Sequence, residues 1–131
     1  MKPTQRLLVP KFYLFAALLW TGMVSYFCLA NSASLPKMDK GIDKFGHFSF
    51  HFGIVLLWFL YFNVQKKESD LKTNLKNAFL ISLFYGILIE ICQALFTKTR
   101  TAELNDMMAN AAGAIVAVLF TLIGFRISFL R

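Results

Sequence analysis

No charged residue interrupts the chain from Phe12 to Ala30. Three further runs come close to the same rule. Residues 45–64 hold no Asp, Glu, Lys or Arg, residues 77–96 hold one carboxylate, Glu90, and residues 107–125 hold none. An α-helix rises ~1.5 Å per residue, so a run of about 20 residues covers the ~30 Å hydrocarbon core of a bilayer. Lipid offers no partners to backbone N–H and C=O groups, which restricts spanning structures to helices and closed barrels. Runs of this length without two-residue alternation specify helices. The expected fold is all-α, a four-helix transmembrane bundle over about 12–30, 45–64, 77–96 and 107–125, forming a single domain across residues 1–131.

The rest of the composition agrees. Charged residues make up 16% and hydrophobic residues 57%, whereas a soluble domain carries about 25% charge. The net charge of +7 does not indicate a nucleic-acid partner, because the basic residues flank the apolar runs instead of forming one patch. Contact with membrane lipids, including anionic headgroups, accounts for them. Cys28 and Cys92 each lie inside an apolar run and read as free buried thiols. No cofactor motif is present, and nothing in the pattern reports an oligomeric state.

Pro3 and Pro10 are expected to delay the first helix until the membrane begins. The small residues Ser32, Ala33 and Ser34 follow the first run, but a cleaved signal has a shorter apolar core of ~7–15 residues, so an uncleaved anchor is expected. Residues 31–44, 65–76 and 97–106 read as polar connections. Threading four antiparallel spans places nine of the fourteen Lys and Arg residues on the side of both termini and five on the other. Cytoplasmic flanks are richer in these residues, so both termini are expected in the cytoplasm of a multi-pass inner (plasma) membrane protein.

That threading also gathers the unusual polar residues at one face. Asp43, Lys44 and His47 open the second span, with His51 one turn deeper. Glu90 and Gln93 sit near the end of the third, and Gly86, Glu90, Gln93 and Thr97 share one helical stripe. Lys98, Arg100 and Glu103 occupy the following loop, and Asp106 and Asn110 open the fourth span on the stripe that ends at Gly113. Ionisable groups are costly inside a membrane and normally face a bundle interior, a cavity or a partner. Ala109, Gly113 and Ala117 recur every four residues, a small-residue face suited to close helix packing.

Asp43-Lys44-x-x-His47-Phe48, Gly86-x-x-x-Glu90-x-x-Gln93, and Arg100 followed by Asp106-x-x-x-Asn110-x-x-Gly113 together resemble the VanZ-like family of small bacterial membrane proteins. The resemblance runs from Asp43 to Ala117 and rests on the order and spacing of three separate blocks. It implies an envelope protein related to one linked with resistance to the glycopeptide teicoplanin, without a settled biochemical activity. His51 departs from the pattern, since the family often has tyrosine there.

Three roles fit the cluster Asp43, Lys44, His47, Glu90, Gln93, Arg100, Asp106 and Asn110. In the first, cations at the surface hold a phosphate or carboxylate of a lipid-linked or peptidoglycan-related ligand, with arginine offering a two-pronged grip. In the second, His47 acts as general base for an envelope-lipid reaction, with Arg100 or Asn110 stabilising developing charge. No serine or cysteine is placed as a nucleophile, which favours binding and leaves catalysis open. A metal variant would use Asp43, His47 and Glu90, but no H-E-x-x-H motif supports it, and no metal is assigned. In the third, the cluster is a network that fixes helix register. Glu90 and Asp106 are expected to hold His47 and Arg100.

Overall fold

A computed structural model describes residues 3–30, 40–65, 70–98 and 103–129. Four α-helices make up the described fold: α1 (Pro3–Leu29), α2 (Lys40–Gln65), α3 (Leu71–Phe96) and α4 (Leu104–Phe129). All four are long and apolar enough to cross a membrane. Large apolar side chains such as Phe12, Phe84, Leu95 and Phe120 remain exposed on the outside of the bundle, as expected where lipid replaces water as the neighbour.

The helices outrun the expected spans at most ends. Each has 26 or 27 residues, about 39 Å at ~1.5 Å per residue, so the extra turns project beyond the ~30 Å apolar core. The expectation that Pro3 and Pro10 delay the first helix is wrong. Pro3 is the first helical residue, where a missing N–H is harmless, and Pro10 lies inside α1 at the loss of one backbone bond. Residues 40–44, read as connection, form the first turn of α2, with Asp43 placed favourably toward the positive end of the helix dipole. Likewise, α3 starts before residue 77 because Asp70 caps it. Its carboxylate accepts from Lys72 N at 3.3 Å, Thr73 N at 3.1 Å and the Thr73 hydroxyl at 2.7 Å. The Thr73 hydroxyl contributes most to holding the Asp70 carboxyl below its ordinary pKa.

α2 is the centre of the bundle: it packs most extensively on α4 and also contacts α1 and α3. Two apolar layers carry this packing. One joins Val55, Phe59, Leu75, Ala78, Ala114 and Ala117 of α2, α3 and α4, and the other joins Val24, Cys28, Ile54 and Ile89 of α1, α2 and α3. The small-residue face of α4 works as expected at Gly113, where Phe48 of α2 comes so near that a Cβ would overlap its carbonyl. Hydrogen bonds tie in α1. Trp20 Nε1 donates to the Phe50 carbonyl at 3.0 Å, Tyr85 Oη donates to the Thr21 carbonyl at 2.7 Å, and Ser25 Oγ bonds the Tyr85 hydroxyl. Trp58 Nε1 likewise donates across to Thr21 Oγ1 at 3.3 Å.

Candidate functional site

The beginning of α2, the end of α3 and the beginning of α4 lie at the same end of the bundle. Seven of the eight residues singled out from the sequence belong to described segments there, while Arg100 and its expected pairing lie outside the described residues. Asp106, in the first turn of α4, is the joint of the cluster. Its Oδ1 accepts from Lys44 Nζ at 2.8 Å, and its Oδ2 lies 3.8 Å from His47 Nε2. Lys44 also reaches Glu103 Oε2 at 3.3 Å. Asp106 and His47 are both buried, whereas Lys44 and Asp43 are only partly so.

His47 bonds through its other ring nitrogen. Nδ1 lies 3.0 Å from Asn110 Oδ1. An amide oxygen only accepts, so Nδ1 donates in this bond, and Nε2 is the ring nitrogen turned toward Asp106. Side-chain atoms offered as ligands by Asp43, His47 and Asp106 all lie within 4.8 Å of one another. The trio considered from the sequence had Glu90 in the place taken here by Asp106.

Glu90 sits at the mouth of α4. Its Oε2 accepts the backbone N–H of Glu103 at 3.3 Å, just where α4 begins and its dipole favours negative charge. The Glu103 carbonyl accepts in turn from the amides of Asp106 and Met107, closing the first turn. The Glu90 carboxylate is within electrostatic reach of His47, Asp106 and Asp43, and its Oε1 is buried with no hydrogen-bond partner among the described residues. Gln93 takes another direction. Its Nε2 donates to the Cys28 carbonyl of α1 at 2.9 Å, anchoring α1 to α3.

One turn deeper, His51 Nδ1 lies 2.8 Å from Ser82 Oγ, with both side chains buried. Ser82 escapes the motif reading although it lies four residues before Gly86, on the Glu90 stripe. Gly86 makes room for this layer, since a Cβ there would come 2.9 Å from His51 Cε1 and 3.4 Å from Asn110 Nδ2. Among the described residues, His51 Nε2, Asn110 Nδ2 and Gln93 Oε1 join Glu90 Oε1 as buried polar atoms without a partner. Such atoms ordinarily find partners, because each one left over costs ~1–3 kcal/mol. A cleft of about 190 Å³ between α3 and α4, lined by Leu83, Gly86, Ile87, Met107, Asn110 and Ala111, leads from the lipid-facing side to this layer.

The arrangement offers cation ligands, hydrogen-bond donors and acceptors, and an approach from the side of the bundle. Comparison with curated proteins and with solved structures gives no match. A family model described as VanZ/LLP1 matches residues 4–125, nearly the whole chain. The protein therefore belongs to the VanZ/LLP1 family.

Proposed function

We propose that this protein binds the polar head of a lipid-linked or peptidoglycan-related ligand in the bacterial cell envelope, at the outer face of the plasma membrane with both termini in the cytoplasm. The observation that carries this reading is the set of buried polar atoms without described partners, His51 Nε2, Glu90 Oε1 and Asn110 Nδ2, of which Asn110 lines a cleft between α3 and α4. Helix packing alone is served by small residues and by satisfied polar pairs such as Ser25–Tyr85. A ligand with an acyl or prenyl tail would keep the tail in lipid while its head entered between the two helices. Arg100 and Lys98 belong to the α3–α4 connection, where they would meet a phosphate or carboxylate. A role in teicoplanin susceptibility would follow from altered handling of such a ligand.

The test is binding of a polyprenyl phosphate to the purified protein in nanodiscs, followed by native mass spectrometry. Saturable binding in excess of bulk phosphatidylglycerol is expected, weakened by Asn110→Ala. Equal occupancy by both lipids, unaffected by the substitution, would refute the reading.

A further inference from the structure

We propose that Asp43, His47 and Asp106 form a binding site for a divalent first-row metal ion, Zn2+ or Mn2+ by the donor set, with Glu90 as a neighbouring third carboxylate. The proposal goes beyond the ligand reading and does not depend on it.

Three features of the cluster converge. The first is distance. With metal–ligand bonds of about 2.1 Å, two ligand atoms on one ion lie roughly 3.0 Å apart at right angles and roughly 4.2 Å apart when opposed. His47 Nε2 and Asp106 Oδ2 are 3.8 Å apart, too long for a hydrogen bond and within that range. Asp43 also offers a carboxylate oxygen, and one ligand atom from each of the three residues lies within 4.8 Å of the others.

The second is the orientation of the histidine ring. Metal-bound histidines donate their outer N–H to a carbonyl or carboxylate, which fixes the ring and presents the other nitrogen's lone pair. His47 has this arrangement: Nδ1 is held by Asn110 Oδ1 at 3.0 Å and Nε2 faces Asp106. A ring nitrogen turned toward a carboxylate needs a positive charge between them, either its own proton or a metal ion.

The third is charge. Asp106 and Glu90 are each at least nine-tenths buried, and Glu90 presents Oε1 with no partner among the described residues, within electrostatic reach of the other three groups. Lys44 engages Asp106 Oδ1 and leaves Oδ2 toward the histidine. Buried carboxylates are costly unless paired or bound to a metal. Imidazole with carboxylates suits zinc or manganese, whereas calcium and magnesium favour all-oxygen sites.

The test uses the full chain purified in detergent, freed of any affinity tag and of metal. Zn2+ is titrated by calorimetry and Co2+ by visible absorption, with no lipid ligand present, so the result is independent of the proposed ligand. One ion per chain is expected, with a Co2+ ligand-field band. His47→Gln and Asp43→Asn should weaken binding at least tenfold, and Asn110→Ala, which removes only the partner of Nδ1, by roughly 10- to 100-fold. Lys44→Gln should tighten binding, because it frees Asp106 Oδ1 from a competing cation, and a gain of affinity is not an effect of misfolding. Should His47→Gln fail to fold, Asp43→Asn at the half-buried edge decides in its place. Absence of saturable Zn2+ and Co2+ binding by the parent and by Lys44→Gln, or parental affinity in a folded His47→Gln or Asp43→Asn, would overturn the proposal.

Discussion

Gly113 of α4 lies directly against the backbone of Phe48 in α2, so that a Cβ at this position would overlap the Phe48 carbonyl oxygen and come 3.0 Å from its Cα. The obstacle is backbone, which cannot swing aside as a side chain does. Gly113→Ala is expected to force α2 and α4 apart and to destabilise the bundle by about 1–3 kcal/mol or more. Gly22 is the control. Nothing lies within 4 Å of a Cβ there, so Gly22→Ala should be neutral or stabilising by up to ~1 kcal/mol through helix propensity. Thermal unfolding in detergent, followed by circular dichroism, checks both. Equal melting temperatures for the two variants would refute the close crossing.

The His47–Asn110 bond is buried on both sides. Asn110→Ala strips His47 Nδ1 of its partner and should cost ~1–3 kcal/mol, the penalty of an unsatisfied buried donor. Met108→Ala, two residues away on the exposed side, should stay within about 0.5 kcal/mol. Denaturant titration in mixed micelles compares them. If the two substitutions cost the same, His47 does not depend on Asn110.

Much of this end of the molecule was legible because antiparallel threading alone brings Lys44, His47, Glu90, Asp106 and Asn110 to one level. The family resemblance was legible in the same blocks, and the match over residues 4–125 agrees with it. Rotation of each helix about its own axis was not. In a soluble bundle the apolar stripe marks the buried face, but here lipid and core are both apolar and the pattern is nearly silent. For that reason Gln93, on the Glu90 stripe, turns out to hold the Cys28 carbonyl of α1, and Trp58 bonds Thr21 inside the bundle. Stripes likewise show which residues share a face without showing which face opposes it. His47 consequently meets Asn110 on one nitrogen and Asp106 on the other, while Glu90 takes the Glu103 amide. The helix ends are hidden in the sequence for a local reason: Asp70 and Pro3 both start helices, and each sits in a stretch whose polarity suggests a loop.

The cap at Asp70 gives a pH dependence of known sign. Its folded-state pKa is depressed below the ordinary value of 3.8, chiefly by the Thr73 hydroxyl. A depressed acid stabilises the fold fully above the unfolded value and loses that contribution as pH falls through the folded value. Stability should therefore drop as pH falls below 3.8, and Asp70→Asn, which still caps but does not titrate, should lack this part of the drop. Melting curves of parent and variant across the acid range measure the difference. Parallel curves would show that Asp70 contributes no proton linkage.

The proposed orientation is checked with cysteines placed on described, exposed positions after Cys28 and Cys92 are replaced by alanine. Lys98→Cys follows α3 at the cluster end, and Gln65→Cys closes α2 at the opposite end. An impermeant maleimide added to intact cells is expected to label Lys98→Cys and to spare Gln65→Cys until the cells are opened. The reverse pattern would put the cluster on the cytoplasmic side and remove the basis for an outer-face ligand.

Glu90→Gln separates a working cluster from a scaffold. The substitution keeps an acceptor for the Glu103 amide, so the start of α4 retains its partner, and it removes a buried charge. Taking away a charge that the protein must desolvate is often neutral or stabilising when packing is preserved. Glu90→Gln is therefore expected to accumulate in the membrane near the parental level and to melt no lower. If the carboxylate helps to bind a cation or orient a ligand head, the same variant should lose the envelope phenotype that the parent supports, with teicoplanin susceptibility the first assay to run. A scaffold role predicts the opposite coupling, in which phenotype falls only as protein level falls. Immunoblotting of membranes beside the susceptibility assay reads both quantities from the same cells. Full phenotype at full level would exclude a role for the Glu90 charge. Full level with lost phenotype places that charge in the function of the site, because the fold has been kept and only the charge removed.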